Sequence, residues 1–373
     1  MYACGMEQLL DTRLPQLTGS RVALVAHPAS ILADGSPAAV RLRDAIGERL
    51  VALLGPEHGY TGQAGPGVAV SHHVHPDWGI PVYSLYGAAT DAWSALAGKV
   101  DTLIFDLQDL GVRCYTYLHT LLQVMRAADR YGWRVLVTDR VVPWAPMVDG
   151  PVAAESADHA VCPAPVPLVY GMTPGETARW YRRHAGLALD LDVVPAIGYT
   201  RAADPVALWS CWVPPSPAIR SLACAYGFPL LVFTEASQRW HCARETAAAF
   251  CRLQGAVLDA SNLAQRLQTY AWPGIEFAVD APDYGALVLR VTDPRRCRPA
   301  VVAVTLLYEL QRWGGGDLFT DDGINDARWF DLLLGTAEVR LALQAGAVPG
   351  EIVAGWNAPL ARFRRERAAA LLY

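Results

Sequence analysis

The chain has 373 residues, 53% of them hydrophobic and 18% charged, with a formal net charge of −5 from 31 basic and 36 acidic side chains. This composition supports a large core and excludes a disordered chain. It also lacks the basic stripe a nucleic-acid surface needs, and no apolar run is long enough for a spanning helix, so neither a nucleic-acid nor a membrane partner is expected. The length suits two domains of ordinary size.

The first residues, MYACGMEQLLDTRLPQL, have neither the basic start nor the apolar stretch of a signal peptide, which points to the cytoplasm. Strands are expected at 21–26, 50–55, 81–85, 102–105 and 134–138. Helical spacing appears at 37–49 and again at 116–131, where Leu118, Leu121, Leu122, Met125 and Ala128 recur on one face. Alternating strands and helices with short loops imply a parallel sheet covered on both faces. The Pro- and Ala-rich stretch 141–167 reads as a surface loop. Thr173, Pro174 and Glu176 form a helix start: Thr173 caps, Pro174 fits the first position and Glu176 closes the capping box. That helix should reach about 184, followed by a strand at 189–194.

Trp212-Val-Pro-Pro-Ser-Pro217 is read as an ordered loop joining two lobes, because its prolines suit neither a helix nor an interior strand. Beyond it, strands are expected at 230–233, 276–281 and 285–291, with helices near 243–253, 261–270, 299–313, 337–345 and 357–371. Gly314–Gly316 reads as a turn. The fold class is therefore α/β: a parallel-sheet domain over 1–215 and a smaller α+β domain over 216–373.

Chemistry-bearing groups cluster at strand tips, where open α/β sheets bind ligands. The second strand ends in Gly55-Pro-Glu-His-Gly-Tyr-Thr-Gly62, which sets Glu57 and His58 between glycines. A carboxyl held there, partly out of water, can act as a proton donor; the plainer alternative is a turn whose Glu57 pairs with an arginine. The next tip carries Asp106, Gln108, Asp109, Arg113, Tyr115 and Tyr117, with Gly111 as the bend. Asp106 near Glu57 would complete the pair of carboxylates that glycosidic cleavage uses; alternatively it caps a helix or orients Arg113. Asp139 and Arg140 end the fifth strand, either to hold a sugar hydroxyl or as an internal salt bridge. His72, His73 and His75 lack a partner cluster, so no metal is expected. The eight cysteines, at 4, 114, 162, 211, 224, 242, 251 and 297, form no C-x-x-C pair and read as reduced, mostly buried thiols. No nucleophile elbow, P-loop or dinucleotide fingerprint is present.

The segments GPEHGYTG (55–62), PVYSLYG (81–87), FDLQDLGVRCYTY (105–117), YGMTPGETA (170–178), WVPPSP (212–217) and the terminal W…F…R…LLY (356–373) resemble the exo-β-N-acetylmuramidases of the NamZ type, in order and over nearly the whole chain. The resemblance implies that the N-terminal domain is Rossmann-like and that the active cleft lies between the two domains. It implies a glycoside hydrolase that releases terminal N-acetylmuramic acid, or a related amino sugar, from peptidoglycan fragments without metal or organic cofactor. It implies Glu57 as catalytic acid, and a pocket lined by His58, Asp106, Gln108, Asp109, Arg113, Tyr115 and Tyr117. The chain departs from the family at several motifs. His27 stands at a Thr-Asn position, Asp139 and Arg140 open DRVVP in place of D-R-P-N-P, and Ser216 precedes Ala218 where the family has P-S-P-N. Glu235 begins a loop in which Arg239, Trp240, His241 and Arg244 replace a glycine-rich sequence. His27, Asp139, Arg140, Ser216 and Glu235 are expected to take the corresponding places against substrate. The rebuilt loop motivates an alternative function: a repurposed enzyme catalysing elimination, cyclisation or isomerisation of a small molecule of specialised metabolism. A third reading keeps the pocket for binding alone. The expected partner is a small polar molecule; the one protein partner allowed for is a second copy in a homodimer.

Overall fold

The computed structural model describes all residues except 1, 88–91, 155–158, 204–207, 209–211, 257, 281–284, 314–317 and 321–324. The turn expected at Gly314–Gly316 and Cys211 lie outside the described residues. The chain opens with α1 (Gly5–Gln8), then β1 (Val22–Val25), α2 (Ala38–Ile46), β2 (Leu50–Gly55), β3 (His73–Val74), β4 (Pro81–Ser84), α3 (Ala92–Leu96) and β5 (Thr102–Phe105). It continues through α4 (Tyr117–Tyr131), β6 (Arg134–Thr138), β7 (Asp149–Val152), β8 (Pro167–Val169), α5 (Pro174–His184) and β9 (Leu191–Val194). Seven strands form one sheet in the order β3-β4-β2-β1-β5-β6-β9, parallel except for the short β3, which runs antiparallel to β4.

The alternation of side chains along the strands builds both layers of core. Val22 and Leu24 of β1 and Ile104 of β5 pack with Leu42 of α2 on one face. Ala23 and Val25, with Leu103 and Phe105, pack with Leu121 and Met125 of α4 on the other. All four residues of β1 and of β5 are buried, as strands covered on both faces must be. The capping box expected at Thr173 is present: Glu176 N–H donates to the Thr173 hydroxyl, and Thr173 N–H donates to the Glu176 carboxylate at 3.0 Å.

The C-terminal part holds α6 (Leu222–Leu231), β10 (Arg252–Gln254), α7 (Ala260–Gln268), β11 (Ile275–Val279), β12 (Ala286–Val291), α8 (Pro299–Trp313), α9 (Ala327–Leu334), α10 (Glu338–Gln344) and α11 (Pro349–Ala368). β10, β12 and β11 make a small antiparallel sheet. Two expectations are overturned here. The strand at 230–233 is the end of α6 followed by a short 3-10 turn, Val232–Ala236. Residues 224–231 are buried without a break, and such a run has no periodicity that separates strand from helix. The helix at 243–253 is a series of turns leading into β10. Ala243 and Phe250 take left-handed backbone angles, φ 51° and 59°, which interrupt any helix. The elements α1, β3, α3, β7, β8 and α9 had no counterpart in the sequence reading, and the stretch 141–167, expected as a surface loop, carries β7 and is mostly buried over its described residues, because its Val, Trp and Ala side chains join the core. No helix among the described residues is long and apolar enough to cross a membrane.

One core runs through both parts, joining Leu103 and Phe105 to Leu306, Trp356 and Phe363. Arg113 fastens the same junction from inside. Its fully buried guanidinium donates to the carbonyls of Pro151 (3.1 Å), Val166 (2.9 Å) and Leu333 (3.2 Å). Gly335 closes α9 in the left-handed region, φ 78°, and a Cβ there would stand 2.5 Å from Arg113 Nη2. Gly335→Ala should therefore cost roughly 1–3 kcal/mol, from backbone strain plus displacement of the guanidinium. Urea unfolding checks this; an unchanged midpoint would remove Arg113 as the fastening.

Candidate active site

The turn after β2 is set by its glycines. A Cβ on Gly55 would stand 2.2 Å from the Tyr60 nitrogen, so only glycine lets the chain fold back this tightly. His58 within the turn is held at φ 72°, an uncommon conformation for a side-chain-bearing residue and one that recurs at functional sites. Its Nδ1 lies 2.7 Å from the Ala64 carbonyl. A carbonyl only accepts, so Nδ1 carries a proton and Nε2 is left to face other groups.

Glu57 lies in the same turn, buried but lining a cavity of about 240 Å³. Gly67 N–H donates to its Oε1 at 2.8 Å, and the Thr116 hydroxyl donates to Oε2 at 2.6 Å. Tyr86 also bonds to this carboxyl; burial, and then the Glu57 charge, push its phenol up to about 12. The hydroxyls of Thr116 and Tyr86 can donate or accept, so this cradle serves either protonation state of Glu57.

The cavity is walled from both parts of the chain. His58, Tyr115, Thr116 and Ser216 join Glu57 on one side; Glu235, Arg244 and Trp329 face them. Phe228, Val232, Phe250 and Leu333 supply an apolar wall. Glu235 is held by an ion pair with Arg244. Burial pushes the Glu235 carboxyl up, Arg244 pulls it down, and the Glu57 charge pushes it up again, so the two glutamates sense each other electrostatically. Cys114 also lines the cavity, but burial pushes its thiol up to about 12, which leaves it protonated and a poor nucleophile.

Of the residues expected at the site, Glu57, His58, Tyr115, Ser216 and Glu235 come together here. Tyr117 stands behind them: its hydroxyl donates to the Pro215 carbonyl and so holds the WVPPSP loop that presents Ser216. Burial keeps both phenols neutral. The other expected site residues lie outside the cavity wall. Asp106, fully buried, receives Arg140 through two bonds, Nε to Oδ1 at 2.8 Å and Nη2 to Oδ2 at 2.9 Å, and Thr138 donates to it at 2.9 Å. Its oxygens are committed to this pair, so the structure corrects the placing of Asp106 beside Glu57, and of Arg140 against substrate. Asp139 caps α5 instead of meeting a ligand: it accepts from Gly175 N–H at 2.7 Å, the Thr173 hydroxyl at 2.7 Å and the Tyr373 hydroxyl at 2.8 Å. Burial pushes its carboxyl up to about 6. Asp109 accepts from Gly111 N–H at 2.9 Å within its own turn. Gln108 donates to the carbonyls of Asp109 and Val141, and Arg113 is the internal fastening already described.

His27 is also internal. Its Nε2 accepts Gln108 N–H at 3.0 Å, and its ring meets that of Tyr117 edge-on. Among the described residues no group of three or more His, Cys, Asp or Glu is placed to hold a metal. His72 accepts from Ser84 N–H, and His75 stacks on Trp78.

Two predictions follow from these internal groups. Asp106→Asn should lower stability by about 3–5 kcal/mol, because Arg140 keeps its charge in a buried site without a counter-ion. A loss of turnover at undiminished stability in denaturant titrations would instead make Asp106 catalytic. Burial pushes His27 down to about 3 from its ordinary 6.5, with the Arg140 and His58 charges adding to it. The unfolded chain thus binds a proton below pH 6.5 that the folded chain refuses. His27 stability is complete above pH 6.5 and lost as pH falls toward 3. His27→Gln keeps an acceptor for Gln108, so its stability should fall less steeply than the wild type's over pH 6.5 to 3; parallel curves would refute the assignment. Asp109 and Asp139, both pushed up to about 6 by burial, act with the opposite sign and are common to both proteins.

Known proteins match nearly the whole chain. The family model for the N-terminal part of the exo-beta-N-acetylmuramidase NamZ matches residues 22–223, and the model for its C-terminal part matches 226–373. The peptidoglycan beta-N-acetylmuramidase NamZ of Bacillus subtilis is 28% identical over 99% of this chain and 91% of its own. Two solved structures of DUF1343 family proteins from Bacteroides fragilis share the fold. One superposes with a TM-score of 0.89 at 24% identity, the other with 0.76 at 23%, each covering 100% of this chain and 99% of its own. With the two family models together matching nearly all of the chain from residue 22 onward, this protein belongs to the exo-beta-N-acetylmuramidase NamZ family.

Proposed function

We propose that the chain is a glycoside hydrolase that removes a terminal N-acetylmuramic acid residue, with Glu57 and Glu235 as its two working carboxyl groups. The observation that carries this reading is their meeting in one cavity, from opposite parts of the chain, in a member of this family. Glycosidic cleavage needs one carboxylic acid to protonate the departing oxygen. It needs a second carboxylate to activate water or to meet the positive charge developing on the sugar.

Glu57 suits the first role. Thr116 and Tyr86 fix its orientation and can accept its proton hydrogen or give one back as it cycles. Glu235, paired with the Arg244 guanidinium, suits the second. The neutral phenol of Tyr115, the Ser216 hydroxyl and the His58 imidazole add hydroxyl- and amide-binding groups. The apolar wall of Phe228, Phe250 and Trp329 matches the ring face and acetyl methyl of an amino sugar. A cavity of about 240 Å³ accommodates one sugar ring, which fits removal of a terminal unit.

Glu57→Gln should lower kcat on a chromogenic β-N-acetylmuramide about 10³-fold, within the range general-acid groups contribute, and Glu235→Gln should also be strongly impaired. Full activity of Glu57→Gln would end this reading. Running the wild-type reaction in ¹⁸O-water separates hydrolysis from the non-hydrolytic alternative. Hydrolysis places one heavy oxygen in the sugar product; elimination, cyclisation or isomerisation of the substrate places none.

A further inference from the structure

We propose that Arg244 is the specificity-determining residue of the cavity, and that it recognises a carboxylate on the substrate: the lactyl carboxylate that distinguishes a muramic acid from a glucosamine. The inference rests on the reading of the site as a muramidase and adds to it the group that selects the substrate.

The argument begins with charge. An anionic sugar entering this cavity meets two glutamates, Glu57 and Glu235, with apolar side chains around them. In a confined, poorly hydrated space, a third negative charge is strongly disfavoured unless a cation answers it. Among the described residues lining the cavity, Arg244 is the only arginine or lysine. Two neighbours of Arg244 in its loop do not line this cavity. Trp240 is buried against Leu258, Leu263 and Leu310, and His241 is exposed and pairs through its backbone with Gln254.

Geometry gives the second part. Arg244 meets Glu235 through Nη1 and Oε1 alone. Among the described residues no other acceptor is bonded to its remaining guanidinium N–H groups, and its side chain keeps 31% of its surface accessible. An arginine presents five N–H donors in a rigid fork, so one edge can stay on Glu235 while the other takes a carboxylate through two parallel bonds. A lysine in this place would be a point charge already spent on Glu235. The left-handed backbone at Ala243, φ 51°, turns the chain immediately before Arg244 and so sets the direction from which the fork enters. Val232 and Phe250 beside it offer apolar contact to the methyl group of a lactyl ether.

The test compares three β-glycosides with one leaving group: the N-acetylmuramide, its methyl ester, and the N-acetylglucosaminide, which lacks the lactyl ether. Wild-type protein should favour the free acid. Arg244→Gln also disturbs Glu235, so the readout is the ratio of kcat/KM values and not either one alone. That ratio, acid over ester and acid over glucosaminide, should fall about 10- to 100-fold, mostly through KM, the range expected for hydrogen bonds to a charged group. Arg244→Lys should lose most of it as well, because its single ammonium stays on Glu235. A ratio unchanged in Arg244→Gln, with all three substrates slowed alike, would overturn the inference and leave Arg244 as a support for Glu235. Calorimetric titration with free N-acetylmuramic acid separates this failure from failure of the muramidase reading. Binding that depends on Arg244 without turnover would sink the hydrolytic assignment and keep the recognition. Turnover with Arg244-independent binding would do the reverse.

Discussion

The carboxylate of Asp106 clasped by the guanidinium of Arg140 is the interaction on which the arrangement at this end of the sheet depends. Both groups leave water to form it, and a buried pair of this kind contributes little net stability against an apolar substitute. Its effect is positional. Arg140 also donates to the Ile31 carbonyl at 2.9 Å, and the Ser30 hydroxyl donates to the Asp106 carbonyl, so the tips of β1, β5 and β6 are joined to one another. With those tips fixed, residues 107–117 follow one course. That course brings Tyr115 and Thr116 to the cavity while their neighbours turn inward.

Much of the fold was legible in the sequence because its strands are short apolar runs between recognisable helix signals. The Thr173 capping box and the spacing from Leu118 to Ala128 placed α5 and α4 closely. Around α6 the same cues failed, since an unbroken buried run has no face. The site was legible only in part. Glu57 and His58 stand between glycines whose conformation marks a tight turn, and such a turn at a strand tip is a local feature. The roles of Asp106, Asp139 and Arg113 were not local. Each is a polar group in a segment that looks like a ligand platform, and each finds its partner in a distant carbonyl, helix start or arginine. Whether a buried acid faces a cavity or a guanidinium depends on what folds against it.

Glu235 shows the converse. In sequence it opens a loop that has lost its glycines, and nothing nearby marks it as the counterpart of Glu57. In the structure the 3-10 turn after α6 delivers it to the cavity, where it pairs with Arg244. The motif most dense in ionisable groups is thus mainly scaffold, while an acid that shares the cavity with Glu57 comes from the segment that looked most altered. Neighbouring acids with unlike surroundings divide naturally into proton donor and charged partner.

Arg113 has a further consequence for the shape of the cavity. Its guanidinium has no carboxylate beside it among the bonds it makes; it is held by three carbonyls drawn from both parts of the chain, inside a core those parts share. Prising the parts open would part the guanidinium from the Leu333 carbonyl and uncover the apolar core that both parts share, so the cavity walled by both is held to one shape.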